Sequence, residues 1–382
     1  MKKTLYLLLC SLFLCIILTL STSAEESSAV YDTVPEEFNG LMNELPEELR
    51  DRLPSSLFSS EKDELNNGAQ EMSSFHYLLQ TVLDLVGLRL GKCAKMLALI
   101  CGILLLSAVC NAIKGALRSE GIARAFSFLS SAVIICSILA EGYHSILSVT
   151  SYFQTLGTIT TAIIPLMAAL YAMGGNVTAA VASTTGLTLY LTVLEQLILK
   201  SIVPFCGICL AFAMMRALDP TLRLGTLSDT IKKNYTTFLA FLMMLLSGML
   251  AAQNVLGAGK DSLAMRSARF AAGNMIPVVG GSISELLRTV STGVGYLRGT
   301  LGICAVLLLL LTILPTLIEL LLVRLTWQIA ASVADMLGCE CEKKLLDEMA
   351  SLSGYLLAAV AICSSVVVLA LSLLIHCTSA IG

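Results

Sequence analysis

Residues 257–299 read GAGKDSLAMRSARFAAGNMIPVVGGSISELLRTVSTGVGYLRG and separate two of the most apolar runs of the chain. The segment has five basic and two acidic residues, which makes it too polar to cross a bilayer unaided. It consists of Gly, Ala, Ser and short apolar runs, unlike the acidic, Pro-rich sequence of a free loop. It is therefore either a hairpin on the membrane surface or a re-entrant element that dips into the membrane.

The composition around this segment predicts an all-α polytopic membrane protein. The chain of 382 residues is 56% hydrophobic and 13% charged, whereas about a quarter of a soluble domain is charged. Several apolar runs reach the roughly 20 residues that cross a bilayer. We assign residues 91–376 to a transmembrane domain and 377–382 to a tail. Residues 25–90 hold 14 of the 27 acidic residues, which argues for an acidic domain on one side of the membrane and against a nucleic-acid binder.

The N-terminus has the features of a secretory signal peptide over residues 1–24. Two lysines precede an apolar core, and small residues ending at Ala24 form a cleavage site; an uncleaved anchor helix is the alternative. The acidic region 25–90 is then exported and contains short amphipathic helices. Its last part, Phe75–Leu90, has apolar residues at helical spacing and leads along the membrane surface into the first span.

Eight apolar segments are predicted to span the membrane. The fifth is short and Gly174–Asn176 is a very tight turn, so seven spans are an alternative. The predicted spans are Lys95–Ile113, Ala125–Leu147, Tyr152–Met173, Val177–Leu199, Ser201–Met215, Tyr235–Leu256, Thr300–Val323 and Ser351–His376.

Residues 257–299 are the one segment that opposes this topology. With an exported N-terminus and eight spans, the cytoplasmic connections hold ten basic residues and the outer connections nine. Cytoplasmic loops of membrane proteins are normally enriched in Lys and Arg. Without 257–299 the comparison is ten against four. Merging the fourth and fifth spans gives eight basic residues in the cytoplasmic connections and ten in the outer ones. This distribution fits the expected cytoplasmic enrichment less well.

The same segment is predicted to form a helix–Gly-Gly–helix hairpin. Its first helix carries Arg266 and Arg269 on one face and ends at Asn274-Met-Ile-Pro277. Gly280 and Gly281 then turn the chain.

The second helix of the hairpin begins with a capping box, in which Ser282 is the N-cap and Glu285 the third helical residue. Glu285 and Arg288 lie on its polar face. We regard the polar, Gly and Pro residues of the hairpin as candidate channel-lining or interface residues.

Signatures of catalysis are absent from the sequence. Gly257-Ala-Gly-Lys260 resembles part of a phosphate-binding loop, but Asn254 stands where the first Gly should be and Asp261 where Ser or Thr should bind magnesium. The three histidines lack metal-ligand spacing. We expect no enzyme activity, cofactor or metal, so any ATP hydrolysis must come from another subunit.

Glu319 is the ionisable residue that most strongly suggests function within a span. It follows Pro315 by four residues and could approach Arg324; Glu195 has a similar relation to Lys200. A structural ion pair and a coupling site of a stand-alone secondary transporter are both compatible with Glu319. Three prolines, Pro165, Pro204 and Pro315, are expected to break their spans.

Three stretches identify a resemblance: MRALDPTLRLGTLSDTIKKNYTTFLAFLMMLLSGMLAAQNVL (215–256), SARFAAGNMIPVVGGSISELLRTV (267–290) and ILPTLIELLLVRL (313–325). Together with the signal peptide, the acidic region and the span pattern, they resemble stage III sporulation protein AE of endospore-forming Firmicutes. The resemblance covers most of the chain and is most specific over 215–325.

This resemblance implies a multi-pass protein of the mother-cell membrane around the forespore. It implies a channel complex with products of the same stage III sporulation A operon, including a secretion-type ATPase and ring-forming subunits. Through them the complex would meet the forespore protein stage II sporulation protein Q and support late forespore development. No catalytic residue is carried over. The alternatives are a secondary transporter coupled through Glu319 and a membrane scaffold that recruits partner subunits.

Overall fold

A computed structural model describes residues 53–54, 74–116, 120–173, 177–218, 226–249, 252 and 280–379, and these are almost entirely helical. No strand occurs within these ranges. The helices are α1 Phe75–Ala116, α2 Glu120–Met173, α3 Val177–Val193, a π-helical turn Leu194–Leu199, α4 Lys200–Leu218, α5 at 226–249, α6 Gly280–Met336 and α7 Glu340–Ser379.

Four of the described helical segments are long and apolar enough to cross a membrane: Leu79–Ile113, Thr184–Met215, Cys304–Met336 and Glu340–Val368. The predicted all-helical membrane architecture is therefore supported. The count of eight spans is not supported, because two pairs of neighbouring predicted spans each form one continuous helical segment.

The predicted spans 125–147 and 152–173 form a single helix, so the reversal expected between them is wrong. α2 runs through both for 54 residues, about 81 Å at 1.5 Å per residue. The predicted connection, Ser148-Val-Thr-Ser151, has neither Gly nor Pro to stop a helix. The Thr150 hydroxyl donates to the Ile146 carbonyl within the helix (3.0 Å).

The fourth and fifth predicted spans also join, as the seven-span alternative allowed. α3, the π-helical turn and α4 follow one another without a gap from Val177 to Leu218. The widened π turn lies where the two spans were expected to separate. A π turn accommodates an additional residue without ending a helix.

Three prolines that were expected to break spans lie inside helices instead: Pro165 in α2, Pro204 in α4 and Pro315 in α6. Proline removes one hydrogen bond of the helical ladder. In a packed membrane bundle, neighbouring groups and local adjustment can satisfy the freed carbonyl, so the helix continues.

The helices alternate in direction along the bundle. Arg89 near the start of α1 contacts Glu319, and Ser107 further along α1 contacts Glu342 just beyond the end of α6. α1 and α6 are therefore parallel. α7 returns antiparallel to α6, since Arg324 lies against Gly354 across the turn at 337–339.

Contacts of the middle helices complete the pattern. Gly142 of α2 approaches Met349, and Tyr152 approaches Ser364, so α2 runs parallel to α7. Because two pairs of predicted spans have merged, the number of reversals between α1 and α6 stays even. α6 therefore runs in the same direction as α1, as in the eight-span prediction. The ion pair of Arg89 with Glu319 nevertheless places the residues before the first predicted span level with the far end of the seventh, which that prediction did not anticipate.

α6 and α7 form the centre of the bundle. In their most apolar windows 61% and 83% of the residues are buried, against 17% for α1. The larger core cluster combines side chains of α6 and α7 with those of α2, α3, α4 and α5. α1 contributes instead to a second cluster around Trp327 and Ala330.

Several sequence predictions fall outside the described residues, including the signal peptide, most of the acidic region and the first helix of the hairpin. The residues assigned to the second helix of the hairpin are helical, but they form the beginning of α6. This helix starts at Gly280, two residues before the predicted N-cap Ser282, and continues past Gly299. The surface segment Phe75–Leu90 is likewise continuous with the first span in α1.

The turn between α6 and α7 depends on Gly338, whose φ is 71°. The Cys339 amide donates to the Ala334 carbonyl (2.9 Å) and the Gly338 amide to the Asp335 carbonyl (3.1 Å), which is the Schellman arrangement. Glycine reaches this left-handed conformation without the steric cost that a Cβ imposes.

We expect Gly338→Ala to destabilise the full-length protein by about 1 kcal/mol, measured as a lower thermal unfolding midpoint in detergent. Gly102→Ala is the matched control, because Gly102 lies within α1 and a Cβ there meets no atom within 4 Å. The control should keep or raise the midpoint. Equal midpoints for the two variants would contradict the role assigned to the turn.

Candidate functional site

Glu319 is held in an ion pair by another helix. Its Oε2 lies 3.0 Å from Nη1 of Arg89 on α1, and the Ser148 hydroxyl of α2 donates to its Oε1 (3.4 Å). The sequence had suggested Arg324, five residues on, as a partner. Arg324 instead lies against Gly354, and the carboxylate joins α1, α2 and α6.

Lys232 and Glu348 form a second ion pair, and both side chains are buried. The Ser228 hydroxyl also donates to Glu348 Oε2 (3.4 Å), and Lys232 Nζ donates to the Ser351 hydroxyl (3.4 Å). This polar cluster fixes α5 against α7. Because removal of one partner leaves a charge buried without compensation, each charge depends on the other.

Sequence reasoning missed this pair and counted Lys232 only among the cytoplasmic basic residues. A signal was present in α7. Glu348 falls at helical spacing with Leu345, Met349 and Leu352, which are all buried, so an acid was placed on an apolar face. An acid in that position requires a partner, although the sequence does not identify which one.

Further polar contacts join α7 to three other helices. The Ser107 hydroxyl of α1 donates to the buried Glu342 carboxylate (2.6 Å). The Tyr190 hydroxyl of α3 donates to the Cys363 carbonyl (3.2 Å), and Tyr152 of α2 is 2.5 Å from the Ser364 hydroxyl. Since Ser364 already donates to the Val360 carbonyl (2.6 Å), Tyr152 is the donor.

Hydroxyls on the exposed faces of α2 and α3 are satisfied within their own helices. Their donors reach the carbonyl four residues earlier, at 2.7–3.2 Å, in Thr155, Thr158, Thr161, Thr185, Thr188 and Thr192. Such hydroxyls need no water, which makes these faces compatible with lipid.

The other candidate site residues are distributed over α6 and the undescribed segment before it. Arg266, Arg269, Asn274 and Pro277 lie outside the described residues. The candidates Gly280, Gly281, Glu285 and Arg288 belong to the first turns of α6, where only the backbone is described, and Pro315 lies one turn before Glu319. Their role at a channel or interface stays a prediction.

Lys200 and two cysteines of α4 are also described. Lys200 donates to Gln196 (2.5 Å) in the described structure, and the side chain of Glu195 lies outside the description. Cys206 and Cys209 are free thiols buried in the core, as expected of small apolar residues.

Charged groups of the described helices neutralise one another across helix boundaries. Glu319, Glu342 and Glu348 each contact a base or a hydroxyl from a different helix. Within the described part of the chain, no group of three His, Cys, Asp or Glu side chains could hold a metal ion.

Comparisons with known proteins provide a family. A family model described as Stage III sporulation protein AE matches residues 58–378. The curated Stage III sporulation protein AE of Bacillus subtilis (strain 168) is 26% identical over 357 residues, covering 92% of this chain and 87% of that protein. No solved structure matches. The matched range contains the Arg89–Glu319 and Lys232–Glu348 ion pairs.

We expect Lys232→Met and Glu348→Leu each to destabilise the full-length protein by about 3–5 kcal/mol, because each leaves a buried charge unpaired. The double variant Lys232→Met/Glu348→Leu should recover most of this loss. Unfolding midpoints in detergent complete the double-mutant cycle.

Lys343→Met serves as the control, since Lys343 and its partner Asp335 are largely exposed, and it should leave the midpoint unchanged. A double variant no more stable than either single variant would refute the mutual dependence of Lys232 and Glu348.

Proposed function

Because the chain belongs to the stage III sporulation protein AE family and so serves in sporulation, we propose that it is a non-enzymatic membrane subunit of a transport channel between mother cell and forespore. It is a multi-pass protein of the mother-cell membrane around the forespore. Its partners are the other proteins of the stage III sporulation A operon, namely a secretion-type ATPase and ring-forming subunits. Through them it meets the forespore protein stage II sporulation protein Q.

The ion pair between Arg89 and Glu319 is the observation that favours this proposal over a stand-alone secondary transporter. A coupling carboxylate must release and rebind a proton during each cycle. Glu319 instead neutralises an arginine and accepts a hydrogen bond from Ser148. These contacts join three helices, as expected of a structural ion pair.

The polar contacts of α7 support a fixed framework for a larger assembly. α1, α2, α3 and α5 are each bonded to α7 through a buried polar group. Movement of any of these helices along α7 would break at least one such bond. In the proposed channel, this framework holds residues 257–299 near the translocation path or at a subunit interface.

The even number of reversals between α1 and α6 supports a location for that segment. Both helices run in the same direction through the bundle. With the proposed exported N-terminus, the residues before α6 face the space between the two membranes, where the forespore partner would be met.

We expect Glu319→Gln and Arg89→Met each to reduce membrane abundance of the protein and late forespore reporter expression, through a loss on the order of 1 kcal/mol for this partly exposed pair. The double variant Arg89→Met/Glu319→Leu should restore both readouts, because the unpaired charge is gone.

The transporter alternative requires the opposite result. If Glu319 couples proton movement to transport, the double variant stays inactive even when its abundance is normal. A wild-type abundance with no reporter expression in the double variant would therefore refute the structural assignment of Glu319.

We expect cysteine labelling along residues 262–298 to follow a helical period when a membrane-impermeant maleimide is added from the outside. Protected positions should recur every three to four residues where the segment packs against protein. The unsubstituted chain provides the background of its native cysteines. Uniform labelling would mean a free surface hairpin and would exclude a path-lining or interface role.

A further inference from the structure

Arg324 occupies an unusual position on α6. It lies within Cys304–Met336, the most apolar candidate span, with a mean hydropathy of 2.7. A Cβ built on Gly354 of α7 would lie 3.0 Å from Cζ and from Nη1 of Arg324, and 3.3 Å from Nε. The guanidinium thus rests against the α7 backbone in space that only glycine leaves open.

Arg324 also differs from three other bases of the bundle, each of which pairs with an acid. Arg89 pairs with Glu319, Lys232 with Glu348, and Lys343 with Asp335. Glu319, the acid nearest to Arg324 along α6, is thus engaged by α1. Within the described part of the chain Arg324 has no carboxylate partner, and a half-buried guanidinium is stabilised by an anion.

The position of Arg324 along the bundle indicates where that anion comes from. The roughly 20 residues from Cys304 to Val323 extend about 30 Å, which matches the hydrocarbon thickness of a bilayer, and Arg324 follows directly. On α1, Lys95 lies six residues beyond Arg89, and Arg324 lies five beyond Glu319, so the two bases are level.

Apolar runs lie on both sides of Arg324 and Lys95 along the axis of the bundle. On α6 the run 304–323 precedes Arg324, and on α1 the run 96–113 follows Lys95. Whichever run lies in the hydrocarbon, the guanidinium lies at its edge, at the depth of lipid phosphates. Basic side chains at this depth bind anionic headgroups.

The surroundings of Arg324 on α6 suit a lipid better than a free anion. Gln328, one turn further along the same side, is exposed and adds an amide donor. Leu321, Leu325 and Ile329 are also exposed beside it. We propose that Arg324, seated against Gly354, binds the phosphate of an anionic phospholipid whose acyl chains lie on these aliphatic side chains.

Native mass spectrometry of the full-length protein released from nanodiscs tests this site. With equal amounts of phosphatidylglycerol and phosphatidylcholine, the wild type should retain phosphatidylglycerol selectively. Arg324→Gln should retain about fivefold less, as expected for loss of one basic contact. Arg324→Lys should retain an intermediate amount of phosphatidylglycerol, because lysine keeps the positive charge but cannot form the bidentate contact of a guanidinium.

Two further variants separate the geometry of the site from net charge. Gly354→Ala should reduce retention by less than Arg324→Gln does, because the new methyl group shifts the guanidinium away from α7 while the charge is unchanged. Lys233→Gln removes one exposed positive charge from α5 and should retain phosphatidylglycerol like the wild type. If Gly354→Ala does not fold, the series Arg, Lys, Gln at position 324 decides.

Three results would overturn the proposal. The first is wild-type retention of phosphatidylglycerol by Arg324→Gln. The second is displacement of the lipid by excess inorganic phosphate, which would assign the site to a free anion. The third is an Arg324→Gln variant that retains the lipid but no longer co-purifies with a membrane subunit. This result would mean that Arg324 pairs with an acidic side chain of a partner.

Discussion

A charge buried away from water must be compensated, and this constraint organises the contacts of the bundle. Lys232 and Glu348 are both buried and neutralise each other across α5 and α7. Arg89 and Glu319 do the same across α1 and α6. Either partner alone would be costly, so each pair restricts how its two helices can be placed. Apolar packing of Leu, Ile and Val allows helices to slide and rotate, whereas an ion pair fixes one register.

The central position of α7 follows from this constraint. It supplies Glu342, Glu348 and Ser364 and the Cys363 carbonyl to four other helices. Its N-terminal turn carries acidic residues, which favour the positive end of the helix dipole. We propose that a sporulation membrane protein whose helices are joined in this way acts as a rigid support. The proposed channel role uses that rigidity, because an undeformed bundle can hold residues 257–299 at one place relative to partner subunits.

Arg324 and Glu319 show the limit of reading charges along one helix. Their spacing suggested a local pair, yet Glu319 is neutralised by Arg89 of α1, and the Arg324 side chain lies against Gly354 of α7. Similarly, the Ser148–Ser151 segment was predicted to connect two spans, but the Thr150 hydroxyl donates within α2 and the Ser148 hydroxyl donates to Glu319. Membrane helices tolerate such residues when a carbonyl or carboxylate is within reach. Polarity alone was therefore a poor guide to where spans end.

The sequence by itself determined the helical membrane class, the family and the shared direction of α1 and α6. These depend on composition, on long apolar runs and on the parity of reversals, which survived the merging of two pairs of predicted spans. The tertiary structure alone decided that α2 is continuous, that prolines lie within helices, and which acid meets which base. Lys232 and Glu348 lie more than a hundred residues apart in the chain. Only packing sets the distance between such residues, because it depends on how all the intervening helices fit together.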